Sequence, residues 1–286
     1  MSNGRRIELV SCIPFALVHV AAIAGAVAVG FSWKLLALAV ALYYGRMAFT
    51  TIGYHRYFAH RAFKTSRWFQ FALAFLAETS AQKGVLWWAA HHRVHHRYSD
   101  LPGDPHSPKG GFWESHMLWI LRDFAGPTGE IKDFSRYPEL RWLDKFYLVP
   151  PLALAVGLYF LGGMPALIWG FFVSTVLLWH GTFLVNSVNH LWGSRRYATT
   201  DTSRNNGLLA LLTMGEGWHN NHHHYMGSAN QGFFWWEIDL SFYLIRLFQV
   251  SGLVWDVRVP PRKIRHATIE AQQPLPQEPS LALLPE

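Results

Sequence analysis

The sequence predicts an all-α integral membrane protein: four transmembrane helices in two hairpins, with a cytoplasmic helical cap carrying a di-metal site. Three observations predict it. Four apolar runs approach spanning length, Lys and Arg are distributed one-sidedly, and most of the sixteen histidines gather in clusters on that same side.

The apolar runs fall at about 12–31, 35–53, 146–161 and 165–188. Each is close to the ~20 residues a helix needs to cross hydrocarbon. The chain is 51% apolar and 16% aromatic, yet its mean hydropathy is only +0.09, so the apolar residues are concentrated in these stretches. Gly162-Gly163-Met164-Pro165 separates the last two runs and is too short for anything but a hairpin turn. Arg5 and Arg6 before the first run suit a signal peptide, but no small-residue cleavage site leads into polar sequence, and a second span follows almost at once. The first run therefore reads as an uncleaved span.

Charge sets the orientation. The two short loops, 32–34 and 162–164, carry one basic residue between them; residues 54–145 carry thirteen, and the stretch from His190 onward carries eight. The positive-inside rule then places both termini and both polar regions in the cytoplasm of a multi-pass protein, in the plasma or inner membrane if the source is bacterial. The net charge of +7 follows from this topology and an anionic membrane face, which removes the case for nucleic-acid binding. A single cysteine, Cys12, leaves neither a disulfide framework nor a thiolate metal site.

Residues 1–266 read as one domain and 267–286, rich in Pro and Gln, as a disordered tail. Within the first polar region, residues 68–77 are apolar but too short to span, which suits the interface or a position under the cap. Prolines 102, 105 and 108 with Gly110 and Gly111 mark a loop. Residues 233–254 are aromatic and amphipathic; Glu237, Asp239 and Arg246 favour an interfacial helix there over a fifth span.

The histidines carry the chemistry. They occur as His55-Arg-Tyr-Phe-Ala-His60, His91-His92-Arg-Val-His95-His96, Asn186-Ser-Val-Asn-His190 and His219-Asn-Asn-His222-His223-His224. Residues three and four apart share a helical face, so His92, His95 and His96 point one way, and so do His219, His222 and His223. Asn186 and His190 share a face at the end of the fourth span. His55 and His60 stand about 140° apart on an ideal helix, which requires the helix to end or bend near Ala59. Nine imidazoles exceed what one first-row metal takes, so they imply two metals with positions left for water or O2. Ligand type alone allows iron, copper, nickel or zinc; an open binuclear centre at a lipid face suggests O2 activation, for which iron is usual. His19, His91, His106, His116, His180 and His224 read as hydrogen-bonded residues, not ligands, and Asp104, Glu78, Glu216 and Asn220 as acceptors for ligand N–H groups.

These stretches resemble the stearoyl-CoA desaturase-like membrane fatty-acyl desaturases. The similarity lies in HRYFAH (55–60), HRVHH (92–96) with SDLPGDPHSPKGGFWESH (99–116), NSVNHLWG (186–193) and GEGWHNNHH (215–223), and it runs from about Gly53 to Val259. The resemblance implies two Fe ions on His55, His60, His92, His95, His96, His190, His219, His222 and His223, with Asn186 orienting a water. It implies O2-dependent formation of a cis double bond, usually at C9–C10, in a bent acyl chain held in a narrow tunnel between the spans. Tyr43 and Met47 are candidates for the tunnel end, and Lys83 and Trp88 for substrate contact. Animal acyl-CoA members carry Arg-Asp before the second box, where this chain has Ala90-His91, so the acyl carrier is open between a CoA ester, a carrier protein and a lipid. With no haem or iron–sulfur motif in the sequence, the expected partners are the acyl substrate, O2, membrane lipid and a separate donor such as ferredoxin, rubredoxin or cytochrome b5 with its reductase. Hydroxylation or oxidative decarboxylation on the same scaffold is the alternative outcome. A membrane metal-binding or transport protein is the alternative class, and it sits badly with spans whose only inner ionisable residues are His19, Arg46 and His180.

Overall fold

The computed structural model describes residues 9–122 and 131–267. The tail expected at 267–286 lies outside them except for Ala267. Most of the chain is helical, and three helical stretches are long and apolar enough to cross a membrane: Cys12–Val29, Trp33–Ala59 and Val149–Leu191.

Helix α1 covers Leu9–Val29 and α2 Trp33–Phe49. The turn between them ends at Ser32, whose hydroxyl accepts from the Leu35 amide at 3.2 Å and so satisfies an orphan donor of the new helix. Helix α2 then widens without a break into a π-helix, Thr50–Ala59. The span expected at 35–53 therefore extends further, and the change of pitch is what the α-helical 3.6-residue reading missed. The last stretch contains α8 (Val149–Ala166), a second π segment (Leu167–Val173) and α9 (Ser174–Leu191). It begins three residues later than the expected Phe146. Gly162 (φ −151°, ψ 17°) and Gly163 (φ 64°, ψ −158°) break the helix where the sequence places a turn. A positive φ with an extended ψ is open only to glycine, so the chain can reverse direction there.

Arg46 ties these elements together. It is buried in α2 and donates to the Thr79 carbonyl at 3.1 Å, Thr175 Oγ1 at 2.8 Å and Ser174 Oγ at 2.6 Å. A buried cation needs such a full set of acceptors to persist.

The next two helices pack against the π-helical end of α2. Helix α3 (Arg67–Glu78) buries Phe69, Leu73, Ala74 and Ala77 and leaves Trp68 exposed, as a half-immersed surface helix would. Helix α4 (Val85–Tyr98) starts at Gly84, and two acidic side chains cap it: Glu78 accepts from the Val85 amide at 2.9 Å, and Asp144 from the Leu86 and Trp87 amides at 2.8 and 2.9 Å. A Cβ on Gly84 would lie 2.2 Å from that Asp144 oxygen, so the close approach needs glycine. Short helices α5 (Phe112–His116), α6 (Lys132–Ser135) and α7 (Pro138–Lys145) follow, then after α9 come α10 (Gly207–Leu212), α11 (His219–His224), α12 (Leu240–Val250) and α13 (Arg262–Arg265). The fold is not purely helical: Lys64–Thr65 and Val254–Trp255 pair as a two-stranded antiparallel ribbon. The main core is built from Tyr54, Phe58, Phe63, Leu73, Leu140 and Leu143, and burial of each Leu or Phe stabilises by about 1.5–3 kcal/mol.

The stretch 233–254 is corrected in one respect. Glu237 and Asp239 do not interrupt a helix; they precede α12, both buried. Asp239 caps it, accepting from the Phe242 amide at 3.0 Å, and binds Arg56 at 2.9 Å. Tyr243, Leu247 and Val250 stand exposed along α12.

Candidate metal centre

The π-helix resolves the spacing of the first histidine pair. Its hydrogen bonds run to the fifth residue along, so residues five apart stand about one turn apart. The bond itself is present: the His60 amide donates to the His55 carbonyl at 3.1 Å, and their rings lie 4.8 Å apart. The helix does end at Ala59, but the change of pitch, not a bend, brings the two imidazoles together.

The nine histidines assemble in two adjacent groups. In the first, His55, His60, His92, His96 and His222 turn one nitrogen each inward, all within 4.8 Å of one another. Their Nε2 atoms form a string: His55 to His222 3.0 Å, His222 to His96 2.9 Å, His96 to His92 2.9 Å, His92 to His60 3.0 Å. A neutral Nε2 has either one proton or one lone pair. The three inner atoms each face two neighbours, so at most two of the four contacts can be hydrogen bonds. A central cation would satisfy all five. Two nitrogens about 2.1 Å from one ion at right angles stand about 3.0 Å apart, which is the spacing seen. A cation that takes six ligands would keep one place beside these five.

The second group is His95, His190, His219 and His223, again within 4.8 Å. His190 and His219 approach through Nε2 at 3.1 Å, and the buried Nε2 of His223 has no hydrogen-bond partner among the described residues. The two groups touch: the His96 and His223 rings are 4.5 Å apart, and those of His95 and His96 5.3 Å.

Outer partners fix which nitrogen faces inward. Carboxylates only accept, so an Nδ1 beside one carries the proton and leaves Nε2 with its lone pair. His55 Nδ1 is 2.6 Å from Glu216, His95 Nδ1 2.9 Å from Asp104, and His223 Nδ1 2.6 Å from Asp201. His190 Nδ1 lies 3.2 Å from Thr202 Oγ1, whose own hydrogen goes to Asp100 at 2.7 Å. Burial and the neighbouring imidazoles hold His92, His96, His219 and His222 well below the ordinary histidine range, so they are neutral, each with one lone pair to offer. Burial likewise lowers His223, against the pull of Asp201, to about 4. His95 is the exception: burial is outweighed by Asp104, which raises it. The donor set thus fits an imidazole-liking first-row cation in each group.

Of the acceptors expected from sequence, Asp104 and Glu216 meet ligand-type histidines. Glu78 instead caps α4, and Asn220 receives the Arg196 and Tyr197 amides, both at 2.8 Å. Asp201, Asp100 and Thr202 were missed. Asp100 follows the end of α4, while Asp201 and Thr202 lie in the loop after α9; no histidine spacing betrays them, and only the fold brings them to α11 and α9. His91 bonds the Trp87 carbonyl and His224 the Ile264 carbonyl, so both stay outside the groups. His106 is not isolated; its ring lies 4.2 Å from that of His95. His19, His180 and His116 form a string of their own, with nitrogen separations of 3.1 and 3.0 Å, ending on Ser187.

A cavity of about 40 Å³ abuts both groups, lined by Met47, Thr51, Trp88, Thr182, Asn186 and histidines of both. Met47, Trp88 and Asn186 therefore stand beside the centre. Trp88 stacks on Tyr54 and His92 at 5.2 and 4.9 Å. Tyr43 does not line the cavity; its hydroxyl donates to the Leu212 carbonyl at 2.7 Å. Lys83 does not line it either and holds its ammonium over the Tyr147 ring.

A family model described as fatty acid desaturase matches residues 31–255. The chain is 42% identical over 235 residues to a delta-9 acyl-lipid desaturase of Arabidopsis thaliana, covering 80% of this chain and 76% of that one. It is 36% identical over 267 residues to an sn-1 stearoyl-lipid 9-desaturase of Anabaena variabilis, covering 92% and 98%. It is 39% identical over 236 residues to an acyl-CoA C20 delta5-desaturase of Anemone leveillei, covering 80% and 76%.

Proposed function

The chain belongs to the fatty acid desaturase family and is an oxidoreductase acting on paired donors with O2; from that premise we propose that it forms a cis double bond, at delta-9, in a long acyl chain carried on a membrane lipid. The observation that carries the reading is the pair of adjacent imidazole groups, five and four, beside a cavity that opens among span residues. The balance is –CH2–CH2– plus O2, two electrons and two protons to –CH=CH– plus two waters.

In this reading each group holds one iron, and Asn186, one turn before His190, orients a water on the second. Bound iron supplies the reduction of O2 and the oxidising power needed to remove hydrogen from an unactivated methylene pair. The protein's own side chains do the rest. Glu216, Asp104, Asp201 and Thr202 hold four imidazoles in the right tautomer before anything binds. Met47, Thr51, Thr182 and Trp88 line the approach and keep water from the reacting carbons. The cavity has room for about three water-sized guests, not an acyl chain. The slot for the chain therefore forms as α2 and α9 part around it, with Met47 and Tyr43 toward its closed end.

The acyl-lipid relatives and the absence of Arg-Asp before the second histidine box both favour a lipid-linked substrate over a CoA ester. The topology follows the sequence: four spans in two hairpins, reversing at Gly30–Ser32 and at Gly162–Gly163, both termini cytoplasmic, residues 1–266 one unit. Exposed Leu208, Leu211, Tyr243 and Leu247 on α10 and α12 would seat the cap on the bilayer. Electrons come from a separate ferredoxin, rubredoxin or cytochrome b5.

The test is expression in a host that makes no unsaturated lipids, followed by lipid mass analysis. The proposal expects products two hydrogens lighter, with the double bond at C9, and none from a His95→Ala variant. A gain of one oxygen, or loss of carbon dioxide, would assign a different reaction to the same scaffold.

A further inference from the structure

Among the described residues from His190 onward, the outward charge is one-sided. Of these, Asp201, Glu216, Glu237 and Asp239 are all buried, and Asp256, which is exposed, is paired with Lys64 at 2.8 Å. Arg262 and Lys263 on α13 and Arg195 on the loop after α9 are exposed. Arg195 is satisfied by neutral oxygens, the Thr199 and Asp201 carbonyls at 2.9 and 2.8 Å, so its charge is not cancelled by a carboxylate there.

Two side chains tie that basic surface to α11 and to the loop after α9. The Ile264 carbonyl of α13 accepts from His224 Nε2 at 3.3 Å, and the Arg265 carbonyl accepts from the Tyr197 hydroxyl at 2.7 Å. Beneath α13 the Tyr197 and His224 rings stack 4.0 Å apart and only 9° from parallel, with Tyr197 fully buried. His224 is the residue after His223, whose ring belongs to the second group. Histidine 224 thus turns away from the centre that His222 and His223 enter, and points at the basic surface instead.

We propose that the face formed by α13 and the loop carrying Arg195 is the docking site of an acidic one-electron carrier protein, with the stacked Tyr197–His224 pair as the route inward to His223. This rests on the reading of the imidazole groups as a metal centre reduced from outside. Each docking event oxidises the carrier by one electron and reduces the metal pair by one, leaving both side chains unchanged; two events supply one turnover. Complementary charge would steer the encounter and make it salt-dependent.

The experiment uses the full-length iron-loaded protein in nanodiscs, with reduced [2Fe–2S] ferredoxin and cytochrome b5 as probes. Binding and carrier oxidation are followed at rising salt. A double variant, Arg262→Glu with Lys263→Glu, is expected to weaken carrier binding at low salt by about tenfold or more. Its iron content, and its product yield after chemical reduction with dithionite, should stay at wild-type values. His224→Leu should bind the carrier normally but accept electrons more slowly, and His224→Phe, which keeps the stacked ring, should recover much of the rate. The proposal is overturned if wild type binds neither carrier in a salt-dependent way, or if the charge reversal leaves carrier affinity intact. It is equally overturned if the charge reversal lowers affinity for anionic phosphatidylglycerol vesicles alone, which would make the face a membrane seat. Wild-type electron transfer in His224→Leu would remove the route. Failure of dithionite-reduced wild type to desaturate would instead sink the desaturase reading itself.

Discussion

Replacing Asp201 by Asn should reverse one imidazole without disturbing the fold around it. Asp201 Oδ2 faces His223 Nδ1 at 2.6 Å, while Oδ1 accepts from the Ser203 amide at 2.9 Å and the Thr199 hydroxyl at 3.0 Å. Burial opposes its ionisation, but the His223 hydrogen bond and charge outweigh that and hold it far below the usual carboxylate range. An asparagine must keep its carbonyl toward the two donors, which turns its NH2 onto His223 Nδ1. Nδ1 then has to accept, and the proton moves to Nε2, where it points at the centre and occupies the lone pair a metal needs. Loss of such an outer partner costs about 10–100-fold in metal affinity, or about 1.4–2.8 kcal/mol. The assay is iron retained per chain under chelator titration, with the unfolding temperature of the metal-free protein as the control for folding. The expected result is one group weakened while metal-free stability is unchanged. An Asp201→Asn protein that holds two irons as tightly as wild type would refute the tautomer argument.

Other consequences can be checked as directly. Glu216→Gln removes one of the two carboxylates on buried Arg56, which keeps Asp239 at 2.9 Å, and should destabilise by about 1.5–3 kcal/mol, read as a lower unfolding temperature with iron present or absent. Met47→Ala should widen the cavity and favour longer acyl chains by about 0.8 kcal/mol per added methylene, near fourfold in a competition between chain lengths, whereas an unchanged product profile would remove Met47 from the slot. Burial, with Asp144 adding to it, pushes Glu78 up to about 8, although the Val85 amide pulls the other way. The folded state therefore keeps a proton that the unfolded chain releases near 4.5, and stability falls as pH rises from there to about 8. Glu78→Gln keeps the bond to Val85 and lacks the titration, so its stability advantage over wild type should grow between pH 5 and pH 8 in thermal unfolding. A constant difference would contradict the assignment. Chelation of iron should lower the unfolding temperature, and its return should restore it, because the inward nitrogens are left facing one another without a cation.

Much of this arrangement was legible in the residues because its signals are local. Apolar length located the helices long enough to cross a membrane, Gly162-Gly163 the break in the last of them, and the three- and four-residue spacings in HRVHH and HNNHH the shared faces of α4 and α11. What stayed hidden depends on context. The ideal α-helical angle separates His55 from His60, and nothing in TTIGYHRYFA announces a π-helix. Side-chain bonds from Thr50 and Thr51 to the Arg46 and Ala48 carbonyls mark the change of pitch, and they are visible only in three dimensions. Glu78 and Asp144 are far apart in the chain yet cap the same helix, so the histidines of α4 are aimed by residues that carry no motif. Asp201 and Thr202 read as loop residues until that loop is found lying across α11 and α9. His106 and His116 showed the opposite failure: spacing made them isolated, and packing gave each a histidine neighbour, His95 and His180.

The most direct measurement of the account is anomalous scattering at the iron edge from crystals of the protein grown with iron. Two peaks are expected, one inside the ring of His55, His60, His92, His96 and His222, the other among His95, His190, His219 and His223. A single peak, or none in either group while the iron-loaded protein still desaturates lipid, would contradict it.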